Sequence, residues 1–320
     1  MSHRTDVAAD GATTTGRKAS EETSDVTNDG RGRPVVTATG VEKAFGDGDP
    51  VLRGVELTLY AGETTVLLGA NGTGKSVLLA CLAGGLHPSA GDVRVFDDAP
   101  ADARTRFSFM IQGGLTVGEL SGRENAEFYA ALHPAATDRW RTLVDTLDLE
   151  ADALDRPVRE YSGGMVRKLE LAVTLGADVP LYLLDEPTAE LDVTTVDRFH
   201  ALVADLTDRG RTVVLASHRP RTVRAADRVV YLADGRVVAD GDPETLRAAV
   251  PPVVAVGGRG DEVRPHLRDG RLFETEHDRR GFLAEGVTPD AVASLGGARL
   301  TTATAVDAFN YYVHVAPGSA

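Results

Sequence analysis

The sequence predicts an α/β protein. A parallel sheet lies at its centre, antiparallel strands precede it, a helical insertion divides it, and a small α+β appendage follows. Three observations carry that class. Short apolar runs at 66–68, 107–111, 181–184 and 212–216 have the length of buried strands, and each ends on glycine or a polar side chain. The stretches at 35–39, 55–59 and 92–96 instead alternate, as strands with one solvated face do. Between 64 and 83 a strand, a glycine-rich loop and an apolar helix follow one another directly.

That last stretch organises the chain. Gly69, Ala70, Asn71, Gly72, Thr73, Gly74, Lys75 and Ser76 fit G-x-x-x-x-G-K-[ST] after a strand and before a helix carrying Val77, Leu78, Leu79, Cys81 and Leu82. The glycines let backbone N–H groups approach an anion, and the helix adds free donors and a positive dipole end. Lys75 then reaches between β- and γ-phosphates, and the Ser76 hydroxyl suits Mg²⁺. Glycine is plentiful, with 34 residues, but Lys18, Lys43, Lys75 and Lys168 are the only lysines, so a chance match is improbable.

The net charge of −14 argues against a nucleic-acid surface, which needs clustered positive charge. The acidic, lysine-poor balance fits a protein kept hydrated by carboxylates in high salt; a GC-rich genome would also exchange lysine for arginine. One cysteine, Cys81, excludes an internal disulfide and a cysteine zinc site. No apolar stretch is long enough for a transmembrane helix and no secretory signal is visible, so a cytoplasmic location is expected.

In chain order, residues 1–33 hold almost no large apolar side chain and read as a disordered tail without chemistry. Phe45, ahead of a Gly/Asp-rich turn, is placed either to stack on a base or to pack as an ordinary strand residue. Residues 84–91 form a turn cluster. The strand at 107–111 ends at Gln112, at the edge where α/β sheets bind ligands, and Gly113-Gly114 beside it suggests a hinge. From 121 to 156 the spacing of Glu124, Phe128, Leu132, Trp140, Leu143, Val144 and Leu147 is helical.

Ser162 reads as the N-cap of a helix, and Ser162-Gly163-Gly164 is either a second anion site of the same physical kind as the first or only a capped helix. Twenty-three residues on, a buried strand ends in Asp185 and Glu186. Paired buried carboxylates call for a cation or protons: Asp185 suits Mg²⁺, and Glu186 suits polarising an attacking water. A loop through Glu190, Leu191 and Asp192 leads to a helix at 194–209, and the strand at 212–216 ends in Ser217-His218.

Together these residues resemble the nucleotide-binding subunit of an ABC (ATP-binding cassette) transporter over about 34–250, with every hallmark in family order. Gly69 to Ser76 match the Walker A loop, Gln112 the Q-loop, and Ser162-Gly163-Gly164 the signature. The strand ending at Glu186 matches Walker B, residues 189–192 the D-loop, His218 the switch histidine, and Phe45 the adenine-stacking aromatic. The resemblance implies a P-loop NTPase cassette: a RecA-like core, an antiparallel β subdomain and a helical subdomain. It implies that Phe45, Gly69 to Ser76 and Val77 bind ATP, with Ser76, Gln112 and Asp185 at Mg²⁺. Two cassettes would sandwich two ATP molecules, each closed by Ser162, Gly163 and Gly164 of the facing chain, with Asp192 linking the sites. Lys75, Gln112, Glu186 and His218 would be catalytic. The partners implied are integral membrane permease subunits and a second ATP-binding subunit, expected as a homodimer, and no nucleic acid.

The Tyr161–Met165 form of the signature resembles drug-resistance exporter ATPases, as does the segment at 120–125, and the groove near Gln112 to Glu124 is where a permease helix is expected. Glu190 departs from the family, which has a small residue there; its charge would loosen dimer closure at low salt. Residues 251–320 form an accessory unit with strands at 253–256 and 271–275 and a last helix through Val306, Phe309 and Val313. Its expected role is packing or dimer support, with ligand regulation as the sharper idea. His266 and His277 lack metal-ligand spacing. The alternatives are an ABC importer and a soluble ABC-type ATPase of translation or repair. The 85 residues between Ser76 and Ser162 leave no room for the long insertions of repair ATPases.

Overall fold

The computed structural model describes residues 32–316 except 259, 294 and 296. The expected N-terminal tail therefore lies outside the described residues up to position 31.

The strand that precedes the phosphate loop lies inside the main sheet, with one parallel neighbour on each side. A six-stranded sheet runs β5(Phe107–Met110)-β6(Leu181–Asp185)-β7(Thr212–Ser217)-β3(Thr64–Leu68)-β8(Arg228–Ala233)-β9(Arg236–Gly241). All pairings are parallel except β8–β9. The central strands are apolar on both faces because helices or a second sheet cover both. On one side Leu67, Leu183, Val214 and Ala216 meet Leu78, Leu79 and Leu82 of α1(Lys75–Leu82). Beyond α1 lies the antiparallel sheet β2(Leu52–Tyr60)-β1(Pro34–Lys43)-β4(Ala90–Val95). On the other side Val66, Leu184, Val213 and Leu215 pack with Phe199, Val203 and Leu206 of α5(Val193–Asp208).

The helical insertion comprises α2(Gly122–Leu132), α3(Arg139–Thr146) and two short 3₁₀ turns, leading into α4(Gly163–Gly176). Trp140, Leu143, Val144 and Leu147 are buried, as their spacing predicts. Phe128 and Leu132 are not: they remain 47% and 65% exposed, and α2 buries Gly122, Asn125 and Ala126 instead. Periodicity marks an apolar stripe without saying whether anything in the same chain covers it.

Behind the main sheet, α6(Pro243–Ala248) leads to a four-stranded antiparallel sheet, β11(Phe273–Glu274)-β12(Arg279–Phe282)-β10(Val253–Val256)-β13(Ala298–Thr301), with α7(Pro289–Ala293) beside it. The expected strand at 271–275 shrinks to the two residues of β11. The last helix, α8(Ala305–His314), folds back onto the main sheet: Tyr312 stacks on Tyr231 of β8 with ring centroids 4.9 Å apart, and its hydroxyl donates to the Leu246 carbonyl. Arg280 bridges Asp278 and the fully buried Asp307, tying β12 to that helix.

Candidate nucleotide site

Strand register assembles the site. Leu68 stands opposite Ser217, and Asp185 opposite Ala216. The loops that leave β3, β6 and β7 therefore emerge side by side at one sheet edge, where α/β folds hold ligands. Glu186 N donates to the Ala216 carbonyl (3.0 Å) and Gly69 N to that of Ser217 (3.4 Å). An open cleft of about 360 Å³ results, lined by Asn71, Gly72, Lys75, Ser76, Gln112, Glu186 and His218 among others.

Gly74 caps α1 at φ 98°, and a Cβ there would stand 2.7 Å from Leu52 Cδ2, so only glycine lets the loop turn beneath the antiparallel sheet. Lys75 is buried and folds back over its own loop, donating to the carbonyls of Gly69 (2.9 Å) and Ala70 (3.0 Å). Burial lowers its pKa, against which the nearby charges of Glu186 and Asp185 raise it. Ser76 Oγ lies 3.5 Å from Gln112 Oε1, so the Q-loop glutamine reaches the first turn of α1.

The carboxylates behind are held differently from one another. Burial raises the Asp185 pKa, opposed by a hydrogen bond from Ser76. Its Oδ1 and the Glu186 Oε2 are buried and have no partner. Glu186, at φ 48°, turns its other oxygen to His218: Oε1 and Nδ1 are 2.8 Å apart. Beside the Lys75 ammonium, Ser76, Gln112 and Glu186 bring side-chain oxygens to this cleft, atoms of the kind a hard cation such as Mg²⁺ takes.

The remaining sequence candidates stand outside this cleft. Phe45 is 51% exposed, with Lys43 Nζ 5.2 Å from its ring centroid, and Val51 rather than Phe45 lines the cleft. Ser162 caps α4 through Met165 N (3.3 Å), and Asp192 caps α5 through Thr195 N (2.9 Å). The signature turn faces solvent with Gly163 exposed, and it lies against Glu190: a Cβ on Gly163 would sit 1.5 Å from Glu190 Oε2. Sequence reasoning did not foresee Val51, nor two side chains that strap the Q-loop, Asn125 and Glu170. Both are polar residues on helices whose burial only the folded chain reveals, so no local signal marked them.

A phosphate loop, a carboxylate strand end and a histidine strand end, gathered on this sheet with an antiparallel subdomain and a helical insertion, define an ATP-binding cassette. Residues 52–189 match the family described as ABC transporter. Over 208 residues the chain is 36% identical to a fluoroquinolones export ATP-binding protein of Mycobacterium tuberculosis, covering 63% of this chain and 68% of that protein. It is 35% identical over 221 residues to the daunorubicin resistance ATP-binding protein DrrA3 of Streptomyces coeruleorubidus, covering 67% and 70%. A dimeric ATP-binding cassette solved in a post-hydrolysis state with ADP and phosphate superposes with a TM-score of 0.60 at 25% identity, covering 65% of this chain and 98% of that one. The chain belongs to the ABC transporter family, as an ATP-binding protein and ATPase.

Proposed function

We propose that this protein is the ATP-hydrolysing subunit of an exporter, working as a homodimer that closes on ATP and drives separate permease subunits at the cytoplasmic face of a membrane. The observation that carries the reading is the contact of His218 with Glu186 in a cleft that also holds Lys75, Ser76 and Gln112. In this reading the cassette spans 34–250 and residues 251–320 form an accessory unit.

The chain's own residues then divide the work. The 69–76 loop and the N-terminus of α1 hold the phosphates, Lys75 exchanging its carbonyl partners for the β- and γ-oxygens, with Val77 behind the loop. Ser76, Gln112 and Asp185 would hold Mg²⁺, and the buried, unpartnered Asp185 Oδ1 supports that assignment. When bound, the ion neutralises charge on the phosphate oxygens. Glu186 orients the attacking water, and His218 positions Glu186 and the γ-phosphate. Ser162, Gly163 and Gly164 lie too far from this cleft to line it, so in this reading they serve the facing copy's nucleotide, with Asp192 at the seam. Phe45, exposed on its loop, has room to stack on the base.

Export follows the named relatives. A permease helix has a landing place beside the Q-loop, where Ile111, Val117, Phe128 and Leu132 are all exposed. Among the described residues no helix is long and apolar enough to cross a membrane.

The test is a pull-down of tagged Glu186→Gln protein from detergent-solubilised membranes with ATP and high salt. Co-purification of a polytopic membrane protein supports the reading. Recovery as an ATP-dependent dimer without such a partner would favour a soluble ATPase.

A further inference from the structure

The Q-loop is pulled from two sides. At its start Gln112 reaches Ser76 in the nucleotide cleft. Three residues on, Leu115 N donates to Oε1 of Glu170, 2.9 Å away on α4. Then Asn125 of α2 clasps Val117 at both ends, accepting from its N–H (2.7 Å) and donating to its carbonyl (3.0 Å). From Leu115 onward the loop is thus fastened to the helical insertion. Between Gln112 and that fastening lie Gly113 and Gly114, both at positive φ (103° and 89°), residues whose backbone turns more freely than any other.

Glu170 is an unexpected residue for its place. It lies on the buried side of α4 between Leu169 and Leu171, and is only 5% exposed. Its partner in charge, Arg167, is 3.2 Å away and equally buried, with Nη1 lacking any hydrogen bond. A buried ion pair is seldom worth more than apolar side chains of the same volume, so packing alone does not account for it. The Leu115 hydrogen bond does. Glu170 Oε1 also stands 3.1 Å from where a Cβ on Gly114 would be, so the carboxylate closes directly behind the hinge. Glu170 lies eight residues beyond Ser162 on one helix, so about 12 Å of rigid rod joins the clamp to the signature turn.

We propose that Glu170 is a positioning residue: it clamps the Q-loop to the signature helix, so that movement of α4 shifts Gln112 through the Gly113-Gly114 hinge alone. The clamp sets where Gln112 stands when the signature turn engages nucleotide, and leaves the 69–76 phosphate loop untouched. It rests on the ATPase-dimer reading for its consequence, but the clamp itself is a contact within one chain.

The test compares steady-state MgATP hydrolysis and hydrogen exchange at the Leu115 amide in the full-length protein. Glu170→Met is expected to lower kcat about tenfold, the worth of one hydrogen bond to a charged group, with KM for ATP within about twofold. Leu115 exchange should rise in step. Glu170→Gln keeps an acceptor for Leu115 N and should recover most of both. Because Glu170→Met strands Arg167, the Arg167→Met/Glu170→Met variant serves as a second loss-of-clamp form without a buried unpaired charge. The proposal is overturned if both Met variants turn over like the wild type, if Leu115 exchange is unchanged, or if Glu170→Gln fails to recover kcat. If the wild type itself hydrolyses no ATP, the ATPase reading falls, while Leu115 exchange still decides the clamp.

Discussion

His218 Nδ1 stands 2.8 Å from Glu186 Oε1, so the residues that directly follow two neighbouring strands, β7 and β6, are engaged with each other. The other carboxylate oxygen of Glu186 is buried and unpartnered, which leaves it free to take a hydrogen bond from water. Glu186→Gln should lower phosphate release by about 10²–10⁴-fold, the usual worth of a positioned acid or base, while ATP binding survives. His218→Ala should fall by a similar factor. Equal kcat in wild type and Glu186→Gln would remove Glu186 from the chemistry.

Lys75 spends its donors on the carbonyls of Gly69 and Ala70. Lys75→Ala strips those contacts and the charge that nucleotide would meet. Hydrogen bonds to charged groups are worth about 1.5–3 kcal/mol each, so ATP affinity should drop roughly tenfold or more. Titration calorimetry with MgATP checks this, and an unchanged Kd would contradict the placement of phosphate in this cleft.

Glu190 Oε2 occupies the place a side chain on Gly163 would take, so a negative charge sits on the signature turn. In a closed dimer that charge would face the other copy's nucleotide. Salt screens it: the Debye length is about 10 Å at 0.1 M and 3 Å at 1 M. Glu190→Ala, made in a Glu186→Gln background, should therefore tighten the ATP-bound dimer, most of all at low ionic strength. Analytical ultracentrifugation at two salt concentrations measures it. A salt-independent dimer constant, the same with and without Glu190, would count against the idea.

His314 ends α8 between the rings of Phe273 and Phe309, and Arg271 donates to its backbone carbonyl (2.6 Å). Burial, helped by the Arg271 charge, lowers its pKa below the ordinary 6.5. The folded state then refuses a proton that the unfolded chain accepts. Stability from this group is complete above about 6.5 and drains away as pH falls from there toward the folded pKa. Thermal unfolding from pH 7.5 to 5 should show a shallower acid decline in His314→Leu than in wild type. Parallel declines would exclude His314 as a source of acid sensitivity.

Most of the cassette is legible along the chain because its signals are local. A strand, a glycine loop and a helix follow one another within twenty residues, and the strand-end residues Gln112, Asp185-Glu186 and His218 each adjoin their own apolar run. The same holds for Ser162 and Asp192, whose capping bonds span three residues. Phe128 and Leu132 lie on the helix their spacing predicts and yet stay exposed, for a matching reason: a helical stripe is local, but what covers it is not.

The sequence by itself determined the phosphate loop, the apolar strands that flank it along the chain and the polar residues that follow them, since each follows from periodicity and turn chemistry over a few positions. Only the tertiary structure decided that His218 pairs with Glu186, that Glu190 lies on Gly163, and that Glu170 holds the Q-loop at Leu115. Those contacts join residues 32, 27 and 55 positions apart. They depend on parallel register and on how α4 packs behind the sheet, and neither leaves a mark in the residues' own neighbourhoods.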